Sequence, residues 1–115
     1  MQIQALDEDI FHIIQINGDV DAASSIILDK AIEKAISEDK KNILIDCMHL
    51  NYISSAGLGV FVYYIEDFKA NDVFFALFSL SDKIKNIFEI LGLNKLINIA
   101  DSKEDAKHLR NDSSL

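Results

Sequence analysis

The chain has 115 residues, the size of one domain, and half of them are hydrophobic, so it can bury a core without disulfides or metals. Its formal net charge of −8 repels the phosphates of nucleic acid and of anionic lipid, which makes both poor partner classes. No apolar run is long enough to span a bilayer, and residues 1–9 lack the basic and apolar regions of a secretory signal. A lone cysteine, Cys47, fits a reducing compartment, and the expected location is the cytoplasm.

In chain order, residues 1–6 and 9–16 read as two strands joined by a hairpin turn at Asp7-Glu8-Asp9. Ile10, Ile14 and Ile16 share one face of the second strand, and Phe11 and Ile13 share the other, so both faces are expected to be covered. Asn17-Gly18-Asp19 is expected to break that strand, and Asp21 to cap a first helix. Leu28, Ala31, Ile32, Ala35 and Ile36 follow at helical spacing, with Asp29, Glu33, Lys34 and Glu38 facing away.

Ile43-Leu44-Ile45 is a short apolar run with the pattern of a central strand. Residues 49–54 are expected to form a loop. A second helix begins near Ser55, with Leu58, Phe61, Val62, Ile65 and Phe68 or Lys69 on one stripe, and ends at Asn71-Asp72. Residues 73–77 read as another buried strand. Ser81 or Asp82 caps a third helix with its stripe at Ile84, Ile87, Phe88 and Leu91, and Gly92 suits its C-terminus. Residues 96–99 suggest a last strand. Ser102 caps a final helix with Ala106 and Leu109 inward, and residues 111–115 form a tail. The order β-β-α-β-α-β-α-β-α argues for an α/β fold on a mixed, mostly parallel sheet, with binding loops beyond the carboxyl ends of its strands.

Two such loops stand out, residues 17–21 and 47–59. Residues 46–59 read Asp46-Cys47-Met48-His49-Leu50-Asn51-Tyr52-Ile53-Ser54-Ser55-Ala56-Gly57-Leu58-Gly59. Two serines at a helix start meet unpaired N–H groups and a partial positive charge. A serine there can cap the helix, or carry a phosphate that those amides help to hold, and both can apply with Ser54 capping and Ser55 exposed. Gly57 and Gly59 would let another protein's backbone approach closely.

A nucleophilic-serine reading lacks a Gly-x-Ser-x-Gly motif and an evident base and acid pair. His12, His49 and His108 have no metal-ligand spacing and read as strand-surface, loop and solvent-facing residues. No metal or other cofactor is expected. A small ligand at the second helix start stays open, without a Walker-type lysine to support it.

The segment resembles the signature of the STAS domain, named for sulfate transporters and anti-sigma-factor antagonists. Gly57-Leu58-Gly59 fits that pattern directly, Ser55 matches the phosphoacceptor serine, and Asp46 matches an acid at a strand end. Asn17-Gly18-Asp19-Val20-Asp21 is similar to the family's Gly-Glu-Leu-Asp turn, where Asp21 matches an acid that assists phosphorylation. Ile90-Leu91-Gly92-Leu93 and Ile99-Ala100-Asp101-Ser102 resemble two later stretches. Two positions depart from the pattern: Ser54 stands where antagonists often have Asp, and Ala56 where they often have Ser or Thr. Ser54 is also an alternative acceptor.

The resemblance implies a STAS domain over residues 1–110 and a binding module rather than an enzyme. Its unphosphorylated form would bind an anti-sigma factor that is also a serine kinase, phosphorylation of Ser55 would release it, and a PP2C-type phosphatase would reset it. Asp19, Asp21, Asp46, Ser54, Ala56, Gly57, Leu58 and Gly59 are the expected contacts of that partner. A non-switching scaffold or accessory subunit of a stress-sensing or lipid-transport complex is the alternative, and homodimerisation is left open.

Overall fold

Ile43, Leu44 and Ile45 are all fully buried, which requires cover on both faces of their strand, since successive side chains point to opposite sides. The computed structural model, which describes residues 1–113, supplies that cover. Its elements are β1 (Gln2–Glu8), β2 (Phe11–Val20), α1 (Ser25–Ser37), β3 (Asn42–Ile53), α2 (Ser55–Ala70), β4 (Phe74–Phe78), α3 (Asp82–Ile90), a short 3-10 turn (Leu93–Lys95), β5 (Asn98–Ala100) and α4 (Lys103–Ser113).

The sheet order is β1-β2-β3-β4-β5. The first pair is antiparallel and the others are parallel. Because the parallel strands advance in one direction, right-handed crossovers put α1, α2 and α3 on the same face. Leu28 and Ile32 of α1, Phe61 and Phe68 of α2, and Ile84 and Phe88 of α3 pack there on Ile14, Ile16, Ile43, Ile45 and Leu77. The other face is covered by α4, whose Ala106 and Leu109 meet Phe11, Ile13, Leu44, Ala76 and Phe78.

The α/β class and the element order match the sequence reading, but several boundaries move. The hairpin turn is Asp9-Ile10, one step later than expected, because Glu8 pairs with Phe11. Asp9 takes the positive φ (56°) that such a tight turn requires. Asn17-Gly18-Asp19 does not break β2, which runs on to Val20. Residues 49–53 are not a loop but the second half of β3, paired with the end of β2. Two register shifts let them stay in the sheet, at Gln15/Asn17 and Gly18/Asp19.

Helix α1 begins at Ser25 with Ser24 before it, rather than at Asp21. The buried stripe of α2 is Gly57, Phe61, Tyr64 and Phe68, which leaves Val62 exposed. Leu91 is exposed as well, and β5 starts at Asn98 rather than at residue 96. His12 is buried instead of on the surface, with Nδ1 2.7 Å from Asp7 Oδ1. Helix α4 continues to Ser113, into the stretch expected as a tail, and residues 114–115 lie outside the described residues.

Candidate functional site

The ends of β2 and β3 lie side by side, with Asp19 opposite Tyr52 and Val20 opposite Ile53. The next backbone amide, that of Ser54, donates to the Val20 carbonyl at 2.8 Å. This bond joins the two loops and fixes where α2 starts.

Ser54 is extended (φ −80°, ψ 170°), and its Oγ accepts the Gly57 amide at 3.2 Å. It is thus the N-cap, as expected for one of the two serines. Its carbonyl takes the Leu58 amide at 3.0 Å. The amides of Ser55 and Ala56 have no acceptor inside the helix, by the geometry of any helix start. Ser55 is the first helical residue and is exposed, as is Ala56. A phosphate on Ser55 would stand among free amides at the positive end of the helix dipole.

The two glycines differ. Gly57 is buried, and a Cβ on it would come within 2.7 Å of Ile53 Cγ1 and 2.8 Å of Val20 Cγ1. Its missing side chain therefore serves internal packing of α2 on the strand ends, not approach by a partner as expected. A Cβ on Gly59 would have no neighbour within 4 Å, so close approach from outside is open there. Leu58 is half-buried against the helix-side core.

Asp19 and Asp21 are both exposed beside this helix start. Asp21 Oδ1 accepts the Ser24 amide and the Ser24 hydroxyl, each at 2.8 Å. Those bonds, the backbone one first, hold its carboxyl below the usual aspartate range. Asp21 therefore shapes the turn that leads into α1, and the Asp19 carbonyl assists by accepting the Ser24 hydroxyl at 3.2 Å.

Asp46 is not gathered with the serines. It lies seven residues before Ile53 along β3, up to roughly 20 Å of extended chain away. Its Oδ1 accepts the Met48 amide at 3.0 Å, beside the first register shift, and Gln15 Nε2 lies 3.5 Å from Oδ2. The acid at this position steadies a bulge.

The sequence did not reveal a groove of about 520 Å³ between α1 and α2, which opens from Ala56 and Gly59 and passes Asp29, Glu33, Tyr63 and Asp67. The Tyr64 hydroxyl pins its walls by donating to Asp29 Oδ1 at 2.6 Å. Burial and that carboxylate push the Tyr64 phenol above its usual range. The spacing of Ala56, Val60, Tyr63 and Asp67 along α2 is a helical stripe and was a legible signal for this face.

Among the described residues no group of three His, Cys, Asp or Glu could hold a metal ion. His49 lies on β3, exposed, rather than in a loop. Cys47 is fully buried, and burial pushes its thiol far up, away from the reactive thiolate. No helix among the described residues is long and apolar enough to cross a membrane.

Five sequential strands with three helices on one face, and a helix start bearing an exposed serine at the sheet's end, define a small α/β domain. The family model described as the STAS domain matches residues 2–106, and the chain belongs to the STAS-domain family. An anti-sigma-B factor antagonist of Listeria monocytogenes is 32% identical over 100 residues, covering 86% of this chain and 88% of that protein. A crystal structure of a putative anti-sigma factor antagonist from Thermotoga maritima superposes with a TM-score of 0.86 at 20% identity, over 92% of each chain. The Bacillus cell fate determinant SpoIIAA in its phosphorylated form gives 0.72 at 18% identity, over 94% of this chain and 99% of that one. At such identities the structural likenesses speak for the fold.

Proposed function

We propose that this protein is an anti-sigma-factor antagonist switched by phosphorylation of Ser55. It binds an anti-sigma factor with serine-kinase activity while Ser55 is unmodified, and leaves once Ser55 carries phosphate. The observation that carries this reading is an exposed serine at the first position of α2, beside a separate serine that already caps the helix. The division of labour frees the Ser55 hydroxyl from a structural duty. The naming of the Listeria relative as an anti-sigma-B factor antagonist supports the choice of partner class.

The physical switch is local. A phosphate adds roughly −1.5 to −2 charge. On the free domain it faces water and helix amides, where the dipole contributes about 0.3–1 kcal/mol in its favour. Pressed against a partner it must lose water, at several kcal/mol unless it is paired. Even ~3 kcal/mol lowers affinity roughly a hundredfold. Gly59 and the groove beyond Ala56 give the partner room to seat over that serine. Asp19 and Asp21 stand at the rim, where they can meet the kinase, and a PP2C-type phosphatase would restore the hydroxyl.

Pull-down against the cognate kinase tests this. Ser55→Ala should bind constitutively and Ser55→Asp about a hundredfold more weakly. Mass spectrometry after incubation with kinase and ATP should place the phosphate on Ser55 rather than Ser54. Equal binding by the two variants removes Ser55 from the switch.

A further inference from the structure

The far end of α2 carries a second feature, independent of the switch reading. The helix spans Ser55–Ala70, so its ends lie roughly 24 Å apart. At the distal end an open cleft of about 690 Å³ is lined by Lys41, Lys69 and Arg110, with Phe68, Val73 and Phe74 as its apolar wall. Asp72 is the acid in that lining. A protein of net charge −8 thus gathers three cations around one concavity, from α2, from α4 and from the connection before β3.

Local pairing does not account for the gathering. Lys69 sits in the last turn of α2, where a cation suits the helix dipole, but it has no ion pair among the described residues. Lys41 meets Asp39 at 3.3 Å, an exposed pair that holds it loosely. Arg110 is fixed in place. Its Nε donates to Asn42 Oδ1 at 3.1 Å, and Asn42 Nδ2 in turn donates to the Ile10 carbonyl at 3.3 Å. Asn42 therefore holds the guanidinium with one end of its amide and anchors itself with the other, and the remaining Arg110 N–H donors meet no carboxylate among the described residues. An oriented arginine fork beside two lysines matches a dianion, and a half-buried phenylalanine matches a flat apolar body.

We propose that this cleft is a binding site for a small organic phosphomonoester, its phosphate on Arg110, Lys69 and Lys41 and its body against Phe74 and Val73. Amide-resolved NMR titration of the full chain with phenyl phosphate tests it, with inorganic phosphate and benzyl alcohol as the two halves of the probe. Phenyl phosphate should give saturable shifts at Asn42, Lys69, Val73 and Phe74, with millimolar affinity. Inorganic phosphate should move the same amides more weakly, and benzyl alcohol more weakly still. Lys69→Gln, an exposed change that leaves the fold intact, and Arg110→Gln should each lower affinity about tenfold, and Arg110→Lys should fall between.

No saturable shift at these amides would overturn the proposal, as would shifts centred on Ser55 and Ala56. Equal affinity for inorganic and phenyl phosphate would also reject it, because the apolar wall would then contribute nothing. Preserved amide dispersion in Lys69→Gln separates lost binding from lost structure.

Discussion

The pole around Ser55 and the end where the β1–β2 hairpin meets α4 are built on opposite plans. At the hairpin, acids are tied down. Glu8 meets Lys103 at 3.1 Å and also bonds Lys107, which reaches Asp9 at 3.5 Å and lies 5.5 Å over the Phe11 ring. Asp7 joins His12 at 2.7 Å to Lys40 at 3.1 Å. At the other pole, Asp19 and Asp21 have no ion pair among the described residues, and hydrogen bonds to neutral groups hold the chain instead. The closed end spends its charges on internal contacts. The open end leaves charge and amides facing outward, where a partner or a phosphate can use them.

That contrast can be broken first at Gly57. Gly57→Ala forces a methyl group against Ile53 and Val20 and should destabilise the domain by about 1–3 kcal/mol, read by urea unfolding. Ser54→Ala removes the cap of α2 and should cost ~1 kcal/mol in the same assay, while leaving Ser55 in place. Gly59→Ala works in the opposite direction. With nothing within 4 Å it should raise stability by roughly 0.5–1 kcal/mol, yet weaken partner binding if Gly59 is where the partner's backbone comes close. A loss of stability at Gly59 would mean that the open pole is packed after all.

The closed end answers to acid, and this effect is the smallest. Hydrogen bonds from Lys107 first, then Lys103, hold the Glu8 carboxyl below the usual glutamate range. A lowered pKa contributes stability that is present above the unfolded value and is lost as pH falls through the folded one. The contribution should therefore be whole at neutral pH and fade below about 4.5, the ordinary glutamate value. Glu8→Gln should lower the melting temperature at pH 7 and flatten its decline in acid. Parallel acid profiles for the two proteins would show that Glu8 is not part of that response.

Much of this architecture was legible in the linear chain, because its signals are local. Helical spacing at Leu28, Ile32 and Ala35 located α1, the Ser81-Asp82 pair marked the start of α3, where Ser81 proves to be the cap, and Ser102 marked that of α4. The resemblance to the family motif singles out Ser55 from the sequence alone. Misreadings fell where a distant neighbour decides. His12 is polar and lies in a strand, yet it is buried, with its ring held by Asp7 on the neighbouring strand. Gly57 and Gly59 look equivalent in sequence, and only the Val20 and Ile53 side chains distinguish them.

The residue order by itself determined the element types, the capping serines and the layered α/β plan, since periodicity and caps act over a few residues. Tertiary structure decided how far β2 and β3 run. Residues 17–20 and 49–53 are mostly polar or exposed and carry no strong strand pattern of their own. They are strands because each supplies the other's hydrogen-bond partners across a bulged register. That long-range pairing carries Ser54 to the Val20 carbonyl and sets the serine beside it at the open edge of the fold.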